Sequence, residues 1–293
     1  MPCWSISRCE KAHFMIDSLF LQKILLCPVC SSPLRRGDVK GDIMCCAPHA
    51  HHYDLSRSGY LNLNIRGGQG DLKAAVESRH AFFEDDPYRS VRQAMSAALS
   101  HIRLPDGVIL DAGCGEGYYT NFVAALTPDR SVLGMDLSKY AIDTAAKEAA
   151  RKALDNTTYI VCSISDMPLE DDSCALILNV FAPCFEQEFF RVLRRDGVFM
   201  MVSAGPDHLM GLKKVLYEET YSNSERADTP KGMREIDNIP VHDVITVRGE
   251  KIMDLFSMTP YFWKTNPESI RRLSDMDTLE TEIDFCIRLF RKE

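Results

Sequence analysis

The pattern of apolar and polar positions changes near residue 107 and divides the chain into two parts. Before it, apolar or small side chains recur at helical spacing from 71 to 101, and Pro87 should divide this stretch into two helices. After it, short apolar runs alternate with helical patterns. The runs predict strands at 108–110, 132–135, 159–161, 175–178 and 198–202, with helices at 119–126 and 141–154. This alternation predicts an α/β domain with a parallel sheet covered on both faces.

Two further stretches differ from this alternation. Residues 222–240 are polar and contain two prolines and a glycine, which predicts a surface loop. Residues 27–66 are rich in Cys, His and turn residues. Their apolar runs are too short to bury much surface, so a cross-link or a bound metal ion is needed to stabilise them. The chain is therefore expected to hold an N-terminal extension (1–23), a small cysteine-rich module (24–68), a helical linker (69–104) and an open α/β domain (105–293).

Composition excludes several classes of protein. The 293 residues contain no run of 18 uncharged apolar residues, so no transmembrane helix is expected. Asp17 and Lys23 interrupt the most apolar N-terminal stretch, which argues against a signal peptide and for a cytoplasmic protein. The net charge of −8 gives no general attraction to nucleic acid, so any RNA contact must come from a local patch.

Cysteines are concentrated near the N-terminus, where they suggest metal binding. The total of eleven is odd and no export signal is present, which argues against a disulfide scaffold. Cys27 and Cys30 form a CxxC knuckle. About fifteen residues later come the further candidates Cys45, Cys46, His49, His51 and His52. Two thiolates from one turn with a Cys and a His from another suit tetrahedral zinc, and the choice within the second group stays open.

A glycine-rich turn follows the first predicted strand. Its spacing, Gly113-x-Gly115-x-Gly, differs from the GxGxxG of dinucleotide enzymes. Ligands of open α/β sheets bind at this edge. Asp111 and Glu116 flank the turn, and their charge would repel a pyrophosphate and suit a cation. S-adenosylmethionine, with its positive sulfonium and amino groups, fits this pattern.

The next two strand ends offer further contacts to a nucleoside. Asp136 ends the second strand, where an acid would accept hydrogen bonds from both ribose hydroxyls. Residues 162–166, which include Ser163, follow the third strand and are placed to hold the adenine.

The motifs along the chain resemble one enzyme family. They are Cys27–Cys30, Cys46, His51, Tyr53–Leu55, Gly59–Leu63, Asp111–Thr120, Asp136, Ala182–Cys184, Gly205–Leu209 and Met258–Trp263. The glycine turn and Asp136 resemble class I S-adenosylmethionine-dependent methyltransferases. With the cysteine module, residues 24–293 resemble the bacterial 23S rRNA guanine-N1 methyltransferases (the RlmA/RrmA-like family, with a macrolide-resistance relative, TlrB).

The resemblance implies a Rossmann-like domain with a mostly parallel seven-stranded sheet and an N-terminal zinc module. Its zinc ligands would be Cys27, Cys30, Cys46 and His51. Its cofactor contacts would be Tyr88, Gly115, Glu116 and His208, beside Asp111, Gly113, Asp136 and Ser163 from the residue analysis. The family often has Ser-Ser-His where this chain has Ser163-Ile164-Ser165, and here Cys46 lies one place farther from the histidine.

The implied reaction is methyl transfer to N1 of a guanine in a 23S rRNA hairpin. Residues Phe181–Pro183 would receive the base, and Asp166, Glu186 and His208 are candidates for removing the N1 proton. The module would bind RNA through Arg35, Arg36, Arg57 and Arg66 without affecting the cofactor site.

Several alternatives accompany this hypothesis. Tyr53 and Tyr60 would stack on bases or form a small core, and Trp263 is expected in the core, with a platform for a base as the alternative. A second copy of the chain is a further possible partner. The rival functions are a methyltransferase for a quinone precursor or natural product and a non-catalytic zinc protein that binds RNA.

Overall fold

The computed structural model describes residues 21–36, 43–46, 51–68, 70–220, 222–223 and 228–293. These residues form two compact units. The first contains the described residues up to Asp71, then 104–199 and Lys292, and the second contains 72–103, 200–291 and Glu293. The extension expected at 1–23 lies outside the described residues except for 21–23, which belong to a short helix. No helix among the described residues is long and apolar enough to cross a membrane.

The helices and strands predicted between residues 71 and 202 are present, and the structure adds elements that were not predicted. The N-terminal part has α1 (Leu21–Ile24), β1 (Leu34–Arg36), β2 (Ile43–Cys46), β3 (His51–Asp54), β4 (Leu61–Asn62), α2 (Lys73–Phe83) and α3 (Arg89–His101). There follow β5 (Val108–Ala112), α4 (Tyr118–Leu126), β6 (Val132–Asp136), α5 (Lys139–Arg151), β7 (Thr157–Val161), β8 (Cys174–Val180), α6 (Glu186–Val192) and β9 (Leu193–Ala204). The chain continues with α7 (Met210–Leu216), β10 (Met233–Arg248), α8 (Lys251–Ser257), a 3-10 turn (Pro260–Trp263), α9 (Pro267–Ser274) and β11 (Thr278–Lys292).

The main sheet of the first unit has the strand order β9-β8-β5-β6-β7-β4. Strand β5 pairs in parallel with both β6 and β8, and β6 pairs in parallel with β7. All residues of β5, β7 and β8 are buried, as expected for a sheet covered on both faces. After β5 the chain forms β6 and β7 on one side of it and then crosses over to form β8 on the other side. The strand order therefore reverses at β5, and its carboxyl end is a switch point, the position where open α/β sheets bind ligands.

The N-terminal segment forms an antiparallel sheet, β1-β2-β3, and also pairs with the α/β core of its unit. Strand β4 extends the main sheet, with Leu61 opposite Ile160 in β7. The backbone N–H of Leu26 donates to the carbonyl of Pro168 at 2.9 Å. Tyr60 packs in a buried cluster that includes Cys114 of the glycine turn. The segment is therefore attached to the α/β core next to β7 and the glycine turn.

In the second unit, β10, β11 and the end of β9 are neighbours in that order. Residues 233–240 lie in β10, so the surface loop predicted over 222–240 is wrong for that part. The strand was missed because it lies at a sheet edge and most of its side chains are exposed, so residues 233–240 show no regular alternation of apolar and polar positions. An edge strand also tolerates Pro240, since one side of its backbone needs no partner.

Candidate active site and metal centre

The glycine turn between β5 and α4 lets the loop after β8 approach closely at the switch point. Gly113, Gly115 and Gly117 have φ values of 83°, 54° and 82°, in the left-handed region that favours glycine. At Gly113 a Cβ atom would lie 2.4 Å from the Cβ of Ala182, in the loop after β8. The Gly113 N–H donates to the carbonyl of Met135 at 2.8 Å, which fixes the turn against β6.

Asp136 connects this turn to the two neighbouring loops of the first unit. Its Oδ2 accepts the N–H of Gly115 at 3.1 Å, and its Oδ1 accepts the N–H of Ser138 at 2.7 Å. Its backbone carbonyl accepts the N–H of Cys162 at 3.0 Å, next to Ser163. The structure thus brings Gly115, Asp136 and the start of the predicted adenine loop together, with the carboxylate held in one orientation.

Three carboxyl groups create negative potential beneath the turn. Asp111 is buried and accepts a hydrogen bond from Thr120 Oγ1 at 2.5 Å. Burial chiefly, and then the negative charges of Asp136 and Glu116, raise the pKa of Asp111 to about 7 against the lowering effect of Thr120. Glu116 is also buried. A bound cation would favour the ionised form of Asp111.

This geometry fits S-adenosylmethionine. The room that a side chain would need at Gly113 is filled by Ala182, so the loop after β8 lies directly against the glycine turn at this strand edge. Asp136 stands at the strand end where ribose hydroxyls are accepted in nucleoside-binding sheets. The surrounding acids match a ligand that is positive at its sulfonium and amino groups.

Tyr88 and His208, the other two predicted cofactor contacts, lie together in the second unit. Their ring centroids are 6.2 Å apart, and both rings pack against Phe285. Burial chiefly, and then the charge of Lys213, lower the pKa of His208 to about 3, so its ring is neutral at pH 7. Their contact with the cofactor stays a prediction of the family resemblance.

The three candidates for removing a proton occupy different surroundings. Asp166 forms an ion pair with Arg66 on the surface of the first unit. Glu186 is exposed in the first turn of α6, in the same unit. His208 is buried, and its Nδ1 accepts the N–H of Asp284 at 3.5 Å. The proton of this neutral ring is therefore assigned to Nε2, which makes His208 a donor rather than a base.

The structure gathers three of the predicted zinc ligands. The ligand atoms of Cys27, Cys30 and His51 lie within 4.8 Å of one another. Cys27 Sγ is 3.5 Å from His51 Nδ1 and 3.1 Å from the hydroxyl of Tyr53. Burial opposes ionisation of Cys27, but hydrogen bonds from Tyr53 and from backbone N–H groups outweigh it and lower the pKa of the thiol. A thiolate pair beside an imidazole is a donor set that zinc prefers.

The strand register bears on the fourth ligand. The backbone of Cys46 lies directly opposite His51 in the β2–β3 ladder, and that of Cys45 lies opposite His52. The side chains of Cys45 and Cys46, and the whole of His49, lie outside the described residues. The histidine within the described cluster is His51.

For the aromatic residues, burial decides between the two alternatives for Tyr53 and Tyr60, and the expectation for Trp263 is corrected. Tyr53 and Tyr60 are buried, so they serve as core residues and not as platforms for RNA bases. Trp263 was expected in the core, but 78% of it is exposed, next to the less exposed Phe262. The error arose because aromatic residues are usually buried, whereas this one ends a short 3-10 turn at the surface.

Sequence reasoning missed some residues that shape the cofactor side. Ser138 accepts the N–H of Ala141 at the start of α5, and its hydroxyl donates to the carbonyl of Asp71 at 2.8 Å. At Gly70 a Cβ atom would lie 2.3 Å from the backbone nitrogen of Ser138. Ser138 could have been found as an N-cap, since a serine stands directly before the helix Lys139–Arg151. No sequence signal marked the contact of Gly70, which is distant along the chain.

Comparison with known proteins gives this arrangement a family. Residues 104–258, more than half of the chain, match the family described as a methyltransferase domain. The 23S rRNA (guanine(748)-N(1))-methyltransferase of Streptomyces fradiae is 31% identical over 200 residues, which is 66% of this chain and 68% of that protein.

Two further relatives cover more of the chain. A Micromonospora griseorubida protein, provisionally named 23S rRNA (guanine-N(1)-)-methyltransferase, is 29% identical over 270 residues, 83% of this chain and 88% of its own length. YxjB of Bacillus subtilis, with the same provisional name, is 27% identical over 278 residues, 91% of this chain and 96% of its own length. The similarity thus extends well beyond the methyltransferase domain that carries the acidic glycine turn. The chain is an S-adenosylmethionine-dependent methyltransferase and belongs to the family of the 23S rRNA (guanine-N1)-methyltransferases.

Proposed function

We propose that this enzyme transfers a methyl group from S-adenosylmethionine to N1 of a guanine in 23S rRNA in the cytoplasm. The observation that carries the proposal is that one compact unit holds both the acidic glycine turn and the Cys27–Cys30–His51 cluster. A methyltransferase for small molecules needs the first feature and has no use for the second. The relatives named for this reaction match most of the chain.

The N-terminal cluster is proposed to bind one structural zinc ion. Cys27, Cys30 and His51 would supply three ligands, and Cys46 the fourth, because its backbone lies opposite His51. Four Cys and His ligands leave no open position, so this ion would stabilise the fold and take no part in the chemistry.

The cofactor is proposed to lie at the carboxyl ends of β5, β6 and β7. When bound, it supplies an electrophilic methyl group on a sulfonium. Asp136 would accept both ribose hydroxyls, since its carboxylate is already oriented by two backbone donors. Asp111 and Glu116 would favour the positive charge, and Ser163 would face the adenine. These residues position the methyl group, which is the main contribution of an enzyme to such an in-line transfer.

The target guanine is proposed to enter at the carboxyl end of β8. N1 is on the Watson–Crick edge, so the base must be unpaired or flipped out of its helix. Phe181 begins this loop with φ of 55° and is 49% exposed, beside the turn that contains Gly113. Asn179 holds the loop by donating to the carbonyls of Ala112 (3.4 Å) and Pro183 (3.3 Å). A residue held in this strained conformation is typical of a functional site.

Removal of the N1 proton is assigned to a carboxylate of the first unit, Asp166 or Glu186. Asp166 would first have to leave Arg66, whereas Glu186 is exposed in the first turn of α6. Comparison of Asp166→Asn with Glu186→Gln separates them: the variant without the base should lose kcat most below neutral pH and keep its cofactor affinity. Equal kinetics for both variants and the wild type would exclude both.

The RNA hairpin is proposed to contact the module through arginines. Arg35 and Arg57 are exposed, the side chain of Arg36 lies outside the described residues, and Arg66 is paired with Asp166. Replacing Arg35 and Arg36 by Ala should weaken RNA binding and reduce the slope of log affinity against log salt by about one per lost phosphate contact. An unchanged slope would exclude these arginines as the RNA anchor and favour contact with a second copy of the chain.

The test of the function is transfer of tritiated methyl groups to undermethylated 23S rRNA, measured beside a panel of small phenols and quinone precursors. The expected result is labelled RNA and unlabelled small molecules. Label in the small molecules alone would establish the rival function.

A further inference from the structure

Trp263 presents an aromatic face to solvent in the second unit. It ends the turn Pro260–Trp263 and is 78% exposed, although Trp is usually largely buried. Its ring meets that of Phe262 edge to face, with centroids 5.1 Å apart. The Phe262 ring in turn contacts that of Phe256, which is fully buried, at 5.4 Å. A row of three aromatic rings therefore leads from the core to the surface.

Hydrogen bonds fix the backbone that carries this row. The hydroxyl of Thr259 donates to the carbonyl of Phe256 at 2.7 Å, just before the turn. Inside the turn, the carbonyl of Tyr261 accepts hydrogen bonds from the Lys264 N–H and from the Thr265 hydroxyl, both at 2.9 Å. Since the turn is fixed before binding, a ligand that stacks on Trp263 would lose little entropy in ordering it.

The residues that follow Trp263, up to the end of α9, carry more positive than negative charge. Residues 261–274 contain the three positive side chains Lys264, Arg271 and Arg272 and the single negative Glu268, a net charge of +2 in a chain of −8. These four side chains are exposed. A protein partner would bury about 800 Å² of surface with an apolar centre. A single ring among charged side chains is better suited to one base beside its phosphates.

We propose that Trp263 is a stacking platform for an unpaired nucleobase of the RNA substrate, with Lys264 and Arg271 near the adjoining phosphates. Every nucleobase has a face that can stack on an aromatic ring, and single-stranded RNA is commonly bound in this way. This inference rests on the proposed function, since it requires an RNA substrate. It adds a contact in the second unit to the arginines of the module.

Trp263 can report on this contact by its own fluorescence. The chain has two tryptophans, so Trp4→Phe leaves Trp263 as the only one. A 12-nucleotide single-stranded RNA should quench its emission, and the matching RNA duplex should do so much less. Trp263→Ala should weaken binding of the single strand by about 5- to 100-fold, the usual range for loss of one stacked base. Trp263→Phe should recover most of the affinity, and Val244→Ala, which alters another exposed apolar residue of the second unit, should change nothing.

The outcomes separate this inference from the proposed function. If the wild type does not methylate 23S rRNA, the function fails and the platform has no substrate. If it does methylate the RNA, but the single strand neither quenches Trp263 nor loses affinity in Trp263→Ala, the platform alone is overturned. A change of oligomeric mass in Trp263→Ala with unchanged RNA affinity would also overturn it and identify the ring as a contact between copies. An unchanged thermal unfolding midpoint would confirm that each variant is folded.

Discussion

Single acidic residues of this enzyme have a structural task, and we propose a ligand-binding task for them as well. Asp136 accepts two backbone N–H groups, and a carboxylate can accept further donors such as ribose hydroxyls. Asp111 lies beneath the same turn and is buried with its hydrogen bond to Thr120. Both acids could be proposed from the sequence, because each directly follows or ends an apolar strand. The raised pKa of Asp111 could not be predicted, because it depends on burial and on the positions of Asp136 and Glu116 in the folded chain.

Replacement of Asp136 by Ala should weaken cofactor binding. Each charge-assisted hydrogen bond to a ribose hydroxyl contributes about 1.5–3 kcal/mol, and the change also releases the N–H of Gly115. Calorimetry measures the dissociation constant, with Asp129→Ala as a control because Asp129 is an exposed acid of the same unit. An unchanged constant for Asp136→Ala would remove this residue from the site.

Cofactor binding should depend on pH through Asp111. Its pKa of about 7, raised chiefly by burial, leaves the carboxyl largely protonated in slightly acidic solution without ligand. A sulfonium favours the carboxylate, so affinity should rise as pH increases through 7 and fall as pH decreases below it, with release of a proton on binding. Calorimetry in buffers of different ionisation heats detects that proton. S-adenosylhomocysteine, which lacks the sulfonium charge, should show a weaker dependence, and Asp111→Asn should abolish it. Equal pH dependence for both ligands would contradict this account.

Among the elements, those with strong local patterns were predictable and those fixed by distant contacts were not. The strand–turn–helix of β5 and α4 follows from an apolar run and three glycines. The edge strand β10 has exposed side chains at most positions, with apolar residues among them, and so lacked a strand pattern. The two-residue strand β4 forms because it pairs with β7, and its own two residues contain too little pattern to predict it. Likewise, the CxxC knuckle was evident, whereas the register that places Cys46 opposite His51 needed the structure.

The β1–β3 sheet and its knuckle should hold one zinc ion per chain. Elemental analysis of protein purified without added metal should give about one equivalent, as for a closed site. Cys27→Ala should lose the metal. Cys286→Ala should keep it, since Cys286 lies in the second unit, where its thiol donates a hydrogen bond to Asn238. A folded and fully active preparation without metal would contradict the assignment.

At the scale of the whole molecule, the N-terminal segment is attached to the cofactor side of the first unit. Leu61 pairs with β7, Tyr60 packs in the cluster with Cys114, and Gly70 lies against Ser138. The sequence suggested two independent sites because the segments are distant along the chain. Because of these contacts, we instead expect the cofactor site to depend on the folded N-terminal segment.

Loss of the zinc should therefore also weaken cofactor binding. Unfolding of the module in Cys27→Ala would remove Tyr60 from beside the glycine turn, and we expect a several-fold loss of affinity for S-adenosylmethionine by calorimetry. A metal-free variant that binds the cofactor like the wild type would show that the two sites are independent after all.

The central claim is methylation of guanine N1 in 23S rRNA, and analysis of the labelled nucleoside tests it most directly. Unmodified 23S rRNA is incubated with the enzyme and methyl-tritiated S-adenosylmethionine and then digested to nucleosides for chromatography. We expect a single labelled product that elutes with 1-methylguanosine, at about one methyl group per RNA molecule. Asp136→Ala should give no labelled product at the same cofactor concentration. Label in another nucleoside, or no transfer to RNA by an enzyme that binds the cofactor, would contradict it.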